Sequence, residues 1–314
     1  MEENNMKIFD LHADLGFDIH EKYKTGERNV LKNRHNDRVF KGEVTSIAMA
    51  SYFEGFQNWD EMKTMILDCE NELNNQDVWH RVLTREDLKV DKPLALMSVE
   101  GMCGIKENEE EAVEWMYEHG IRLASLCWND ENALATGVKG NPERGLTEKG
   151  KNLIRKMNEM HMVIDVSHTN EKTFWDIMET SKGLVIATHS NARTLCDHPR
   201  NLTDDQIKAI AAQNGLIGMN SCAYFVNPDE TIVTAEKLAE HAAYIRDLVG
   251  VEYIACGFDF MDFWGDGRYT IKDMPNAAFA QNFIEGLRKN NFSEEDIEKV
   301  AYKNVMDRFY EYLK

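Results

Sequence analysis

The chain is predicted to be an α/β protein, a (β/α)8 TIM barrel of the metal-dependent hydrolase type. Three observations lead there. Eight short apolar runs alternate with helix-periodic stretches along the 314 residues, and such alternation builds a parallel sheet or barrel. His12, Asp14, Glu100, His168, His189 and Asp259 each fall at the C-terminal end of one of those runs, the face where the strands of a closed barrel gather their chemistry. No Pro/Gly/Ser-rich linker divides the chain and no glycine-rich phosphate loop follows the first run, which disfavours the doubly wound open sheet. Residues 1–314 are therefore read as one barrel domain closed by two C-terminal helices.

The predicted strands are Lys7 to Asp14, Val44 to Phe53, Pro93 to Glu100, Ile121 to Trp128, Val163 to His168, Leu184 to His189, Leu216 to Phe225 and Tyr253 to Phe260. Each is short and rich in apolar residues. The segment from Gly16 to Gly42, rich in Lys, Arg and Asn, reads as a long loop insertion on the side that walls an active site. Asn58 to Val82 is the first long helix, with Trp59, Met62, Ile66, Cys69 and Leu73 on one face. Glu109 to His119 follows, apolar at Ala112, Val113 and Met116. Leu146 to Met162 starts at Thr147 as N-cap, without a full capping box because Gly150 stands three residues on. Asn170 to Ser181, Thr203 to Gln213 and Thr234 to Val249 complete the alternation, Asp204 and Asp205 supplying first-turn charge. Gly215 and Gly250 suit left-handed C-caps. Asn276 to Asn290 and Ser293 to Leu313 are the terminal helices.

Composition narrows the function classes. With 36 basic and 55 acidic residues the net charge is −19, which argues against nucleic acid or an anionic membrane as partner. No apolar run approaches the roughly 20 residues of a membrane helix, and the polar N-terminus does not resemble a secretory leader. A cytoplasmic protein is expected. The six cysteines (Cys69, Cys103, Cys127, Cys196, Cys222 and Cys256) are scattered without a CxxC pair, so buried free thiols are expected rather than disulfides.

The site candidates carry compatible chemistry. His12 and Asp14 are two apart on a strand and point the same way, and an imidazole with a carboxylate suits zinc or another divalent first-row metal. Taken alone, His-x-Asp more often marks a polar strand end facing solvent. Glu100 is the first charge after Leu94-Ala95-Leu96-Met97; it can bridge two cations, with Gly101 leaving room beside it, or simply begin a loop. His168 and His189 close consecutive strands at matching positions, which favours ligands over two unrelated core histidines. Arg200 can hold a carboxylate bidentately, or pair on the surface with Asp197 or Asp204. Asp259 can bind an attacking water or move a proton, while Asp262 and Asp266 read as solvated loop acids.

His12-Ala13-Asp14, Ser98-Val99-Glu100-Gly101, Asp165-Val166-Ser167-His168, Thr188-His189-Ser190-Asn191-Ala192-Arg193, Pro199-Arg200-Asn201-Leu202 and Gly257-Phe258-Asp259-Phe260 occur in this order through nearly the whole chain. In this the chain resembles the membrane dipeptidase (renal dipeptidase) family, peptidase family M19 of the amidohydrolase superfamily. The resemblance implies a TIM barrel with two zinc ions. It implies that His12 and Asp14 hold one ion, His168 and His189 the other, and that Glu100 bridges them. Arg200 would bind the substrate carboxylate and Asp259, with Glu100, would serve catalysis. The chain departs from the renal type after the fourth strand, where Trp128 stands in place of a substrate-contacting histidine. Trp128 and Asn129 are placed as substrate contacts.

The expected activity is that of a binuclear zinc dipeptidase, a shared water of lowered pKa attacking the peptide carbonyl of a short peptide with a free C-terminal carboxylate. Another amidohydrolase reaction, on an N-acyl amino acid or a lactone, is the first alternative. A non-catalytic metal-binding barrel is the second. The expected partner is a small dipeptide, and a homodimer is allowed.

Overall fold

A computed structural model describes residues 5–264 and 269–314; Asp266 lies outside the described residues. The strands are β1 (Ile8–Ala13), β2 (Val44–Tyr52), β3 (His80–Arg81), β4 (Leu94–Glu100), β5 (Ile121–Ser125), β6 (Val163–Asp165), β7 (Val185–Ile186), β8 (Ile217–Met219) and β9 (Ile254–Cys256). All eight expected strands are present. The short β3 is an addition, pairing with β4 in parallel.

The chain falls into two compact units. One comprises Met1–Ala13, Val30–Ile47 and Thr188–Arg308, the other Asp14–Asn29, Ala48–Ala187 and Phe309–Lys314. In the first unit the order is β1-β9-β8; Asp10 aligns with Cys256, and Ile217 to Met219 align with Ile254 to Cys256, all parallel. In the second the order is β4-β5-β6-β7, with Ser125 aligned between Glu100 and Asp165. Every residue of β1, β4 and β5 is buried, as expected of parallel strands covered on both faces.

The helices start where their caps allow. Asn58 and Thr203 close capping boxes with Glu61 and Gln206, and Thr147 accepts from Gly150 N without a box, as its sequence requires. The helix expected from Asn58 to Val82 ends at Asn74. There Gln76 bends the chain, its amide donating to Leu73 O and Trp79 O while its carbonyl accepts from Val78 N and Trp79 N. The last expected helix is broken by a wide turn at Lys299–Lys303, beside Asn304, whose amide donates to the Val251 and Ile254 carbonyls.

Three expectations need correction. The segment 16–42 is largely helical, not a loop, with helices at Leu15–Lys24 and Asn36–Lys41. Leu15, Ile19 and Tyr23 are spaced four apart and buried, a stripe that packs on the helix Trp59–Asn74 in the second unit through Tyr23 Oη to Glu72 Oε2 (2.9 Å) and His20 Nδ1 to Asp68 Oδ2 (2.7 Å). Asp262 is not solvated; it is paired with Arg38, and burial pushes its carboxyl pKa up. The left-handed residue after the helix Asp204–Ala212 is Asn214 rather than Gly215, an asparagine tolerating that conformation. At Gly250 φ is +115° and ψ 158°, a region only glycine enters readily. The six cysteines are free and buried.

Candidate active site

In the first unit, β1 delivers His12 and the chain leaving β9 delivers Asp259. Asp259 adopts φ +56° and its N–H donates to the His12 carbonyl at 3.2 Å. Its Oδ1 lies 4.0 Å from His12 Nε2, while Oδ2 accepts from Asn220 Nδ2 at 3.3 Å. The His12 and His189 rings lie 3.9 Å apart, centroid to centroid. His12, His189 and Asp259 are therefore brought together within this unit. Asp10, one full strand repeat before His12, holds them in register: its Oδ1 accepts from His12 N (3.2 Å) and Phe258 N (2.8 Å). Burial raises the Asp10 pKa to about 7 against the lowering effect of those two N–H groups.

His189 is set by backbone packing. The ladder of β7 stops at Ile186, and the chain turns so that the Thr188 carbonyl lies where a Cβ on Gly218 or Gly257 would stand. Ser190 N then donates to Gly218 O at 2.8 Å. Thr188 Oγ1 is 2.7 Å from His189 Nδ1, a contact that orients the ring.

Arg200, in the loop that follows, is buried with its guanidinium over the Phe225 ring at 5.4 Å. Asp204 accepts from Tyr244 Oη and Thr194 Oγ1.

In the second unit, Asp14 immediately follows β1 and is buried; its carbonyl starts the helix Leu15–Lys24 by accepting from Asp18 N at 3.1 Å. Glu100 ends β4 with Oε1 2.8 Å from His168 Nε2. The other ring nitrogen, His168 Nδ1, lies 3.1 Å from Asn129 Oδ1, fixing which edge faces Glu100. Gly101, at φ +84°, lets the Phe53 carbonyl and Trp128 N approach, a Cβ there meeting them at 3.2 and 3.4 Å. Trp128 is half-buried, 6.0 Å from the His168 ring, edge-to-face with Tyr52, and under Lys139 Nζ. Asn129 is thus placed by His168.

The donor set suits a divalent cation. Imidazole nitrogens and carboxylate oxygens, all but one of the residues buried, match first-row metals such as zinc.

A family model, "Membrane dipeptidase (Peptidase family M19)", matches residues 3–311. The chain belongs to that family. A relative from Klebsiella pneumoniae, "Uncharacterized protein in pqqA 5'region", is 33% identical over 229 residues, 70% of this chain and 82% of that protein. For four further curated relatives, among them dipeptidase tcpJ of Claviceps purpurea, the match spans only 50% to 64% of their length. Among solved structures, an M19 metallopeptidase described as dipeptidase AC aligns over 98% of this chain and 99% of its own, with a TM-score of 0.86 and 21% identity. A metallopeptidase from Rhodobacter sphaeroides, liganded with a phosphinate mimic of the dipeptide L-Ala-D-Ala, aligns over 99% and 100%, with a TM-score of 0.86 and 20% identity. This likeness shows the fold class of the M19 chain, the parallel eight-stranded α/β barrel of TIM type. No helix among the described residues is long and apolar enough to cross a membrane.

Sequence reading overlooked the residues that orient the donors in this M19 protein. Asp10, Thr188 and Asn220 carried no signal beyond being polar next to apolar runs. Asp165, whose Oδ1 accepts from Ser167 N (2.9 Å) and Ser167 Oγ (2.6 Å) just before His168, was visible only as a charge inside a predicted strand.

Proposed function

We propose that this member of the M19 family is a dipeptidase that uses two divalent metal ions, zinc in the first instance. The observation that carries the reading is the gathering, within each unit, of imidazole and carboxylate donors, with the remaining ring nitrogens of His189 and His168 already held by Thr188 and Asn129. As the family resemblance implies, His12 and Asp14 would hold one ion, His168 and His189 the other, and Glu100 would be shared. Bound divalent cations supply a water of lowered pKa and a polarised carbonyl. Asp259, backed by Asn220, accepts the proton of the attacking water and returns it to the leaving amine. Arg200 receives the C-terminal carboxylate, its guanidinium plane supported by Phe225. Trp128 and Asn129 border the substrate, the indole packing against its side chain. Because the relative from R. sphaeroides binds a mimic of L-Ala-D-Ala, dipeptides with a C-terminal D-residue belong among the substrates. We read residues 1–314 as one cytoplasmic barrel domain, for which a single melting transition is expected.

The test is metal analysis joined to a dipeptide panel. About two divalent ions per chain are expected, with turnover of free dipeptides and little of their C-terminal amides. Arg200→Ala should lower use of the free dipeptide to that of the amide while metal content stays. Equal turnover of free and amidated dipeptides by the unaltered protein removes this role for Arg200.

A further inference from the structure

Beyond the metal donors, the first unit holds a buried histidine with no role in that chemistry. His241 lies on the helix Ala235–Val249, 1% exposed. Its Nδ1 accepts from Ala192 N at 3.1 Å and its Nε2 lies 2.8 Å from the Val226 carbonyl. A backbone N–H can only donate and a carbonyl only accept, so the ring must be neutral with its proton on Nε2. Burial lowers its pKa and keeps it so.

The two backbone groups belong to different connections, the loop that leaves His189 and the one that follows β8 and ends in the helical turn Ala223–Val226. Two asparagine side-chain amides, those of Asn191 and Asn201, join the same connections. Asn191 Nδ2 donates to Asn220 O (2.9 Å) and Phe225 O (3.2 Å), Asn201 Nδ2 to Cys196 O and Phe225 O (both 2.9 Å), and Asn220 N donates to Asn191 Oδ1 (3.0 Å). The Ser190–Leu202 stretch is closed on itself by Leu202 N to Asn191 O and Arg193 N to Leu202 O, both 2.8 Å. Phe225 is the meeting point: its carbonyl takes two amides and its ring lies under the Arg200 guanidinium and beside His198.

We propose that His241 is a positioning residue that pins the Ser190–Leu202 loop to the Asn220–Val226 loop and thereby sets the Arg200 guanidinium for the substrate's carboxylate. The inference rests on the role given to Arg200 above. Arg200 offers a planar fork, and a fork displaced by about 1 Å loses much of its value to binding. The loop that carries it contains no regular strand or helix, so side-chain bonds must supply its stiffness. His241 is the member of that network that comes from a long helix, Ala235–Val249, whereas Phe225 and Val226 lie in the single helical turn Ala223–Val226.

Three variants of the full-length, metal-loaded protein separate the parts. His241→Gln can still donate to Val226 O, His241→Asn can still accept from Ala192 N, and His241→Leu does neither. KM and kcat are measured on a dipeptide and on its C-terminal amide, with metal content and hydrogen exchange at the Ala192 amide. The expected result is a KM for the free dipeptide raised about tenfold in His241→Leu and less in the other two, with kcat, metal content and amide turnover near those of the unaltered protein. Exchange at Ala192 should quicken in His241→Gln and His241→Leu but not in His241→Asn. Equal losses on both substrates would reduce His241 to a stabilising residue and overturn the proposal. So would unchanged KM values beside faster exchange at Ala192. Should His241→Leu fail to fold, the Gln and Asn variants decide. An unaltered protein indifferent to amidation would remove the Arg200 reading and this inference together, whereas flat variants in a discriminating enzyme remove this inference alone.

Discussion

The candidate donors of the two units are held in different ways. In the first unit the backbone does most of it: Asp259 N on the His12 carbonyl, Asp10 on the N–H groups of His12 and Phe258, and Thr188 seated on Gly218 and Gly257. In the second, side chains do it: Asn129 against His168, Ser167 against Asp165, and Ser125 Oγ accepting from Gly101 N at 3.1 Å. A donor set by backbone packing tolerates little change in neighbouring volume, while one set by a side-chain bond can lose that bond and remain in place. The first unit should therefore fail through folding and the second through affinity.

The sharpest break of this comparison replaces one histidine in each unit. His189→Ala and His168→Ala should each lower metal content and abolish turnover, as the proposed two-metal reaction requires. Full activity in either variant after exhaustive chelation would overturn the metal-hydrolase reading. Asp259→Asn keeps the shape and the Asn220 contact but removes the base, so kcat should fall by about two to four orders of magnitude with metal retained. A change confined to KM would make Asp259 a binding residue instead.

Stability separates the units next. Gly257→Ala drives a Cβ into the rigid Thr188 carbonyl and should cost about 3 kcal/mol or more. Gly101→Ala meets looser contacts and mainly the penalty of φ +84°, about 1–2 kcal/mol. Thermal melts of the two variants should rank in that order; the reverse order would refute backbone control in the first unit. Asn129→Ala should instead leave the melt nearly unchanged and weaken metal binding by about 10- to 100-fold, read by competition with a chelating dye. The smallest effect is expected at the other side-chain neighbour of His168. Trp128→His should raise turnover of ordinary dipeptides modestly if the indole borders the substrate. Lost stability with unaltered kinetics would assign Trp128 to the core at its strand end.

The sequence by itself determined the alternation of eight apolar runs with capped helices, because strand length, periodicity and N-cap chemistry are local properties of the chain. It also marked His12, Glu100, His168, His189 and Asp259, since each falls at the C-terminal end of an apolar run that must be buried. The ends of those runs were less legible. The run from Leu184 to His189 keeps its ladder only to Ile186, because two glycines far along the chain admit the Thr188 carbonyl. The segment 16–42, polar enough to read as a loop, became helical where Leu15, Ile19 and Tyr23 met an apolar partner. Asp262 looked solvated until Arg38 came beside it. The contacts of His168 and Asp259 likewise depended on residues remote in sequence, Asn129 and Asn220. A hydrogen bond between side chains dozens of positions apart leaves no period and no local pattern in the chain, so only the tertiary structure could decide it.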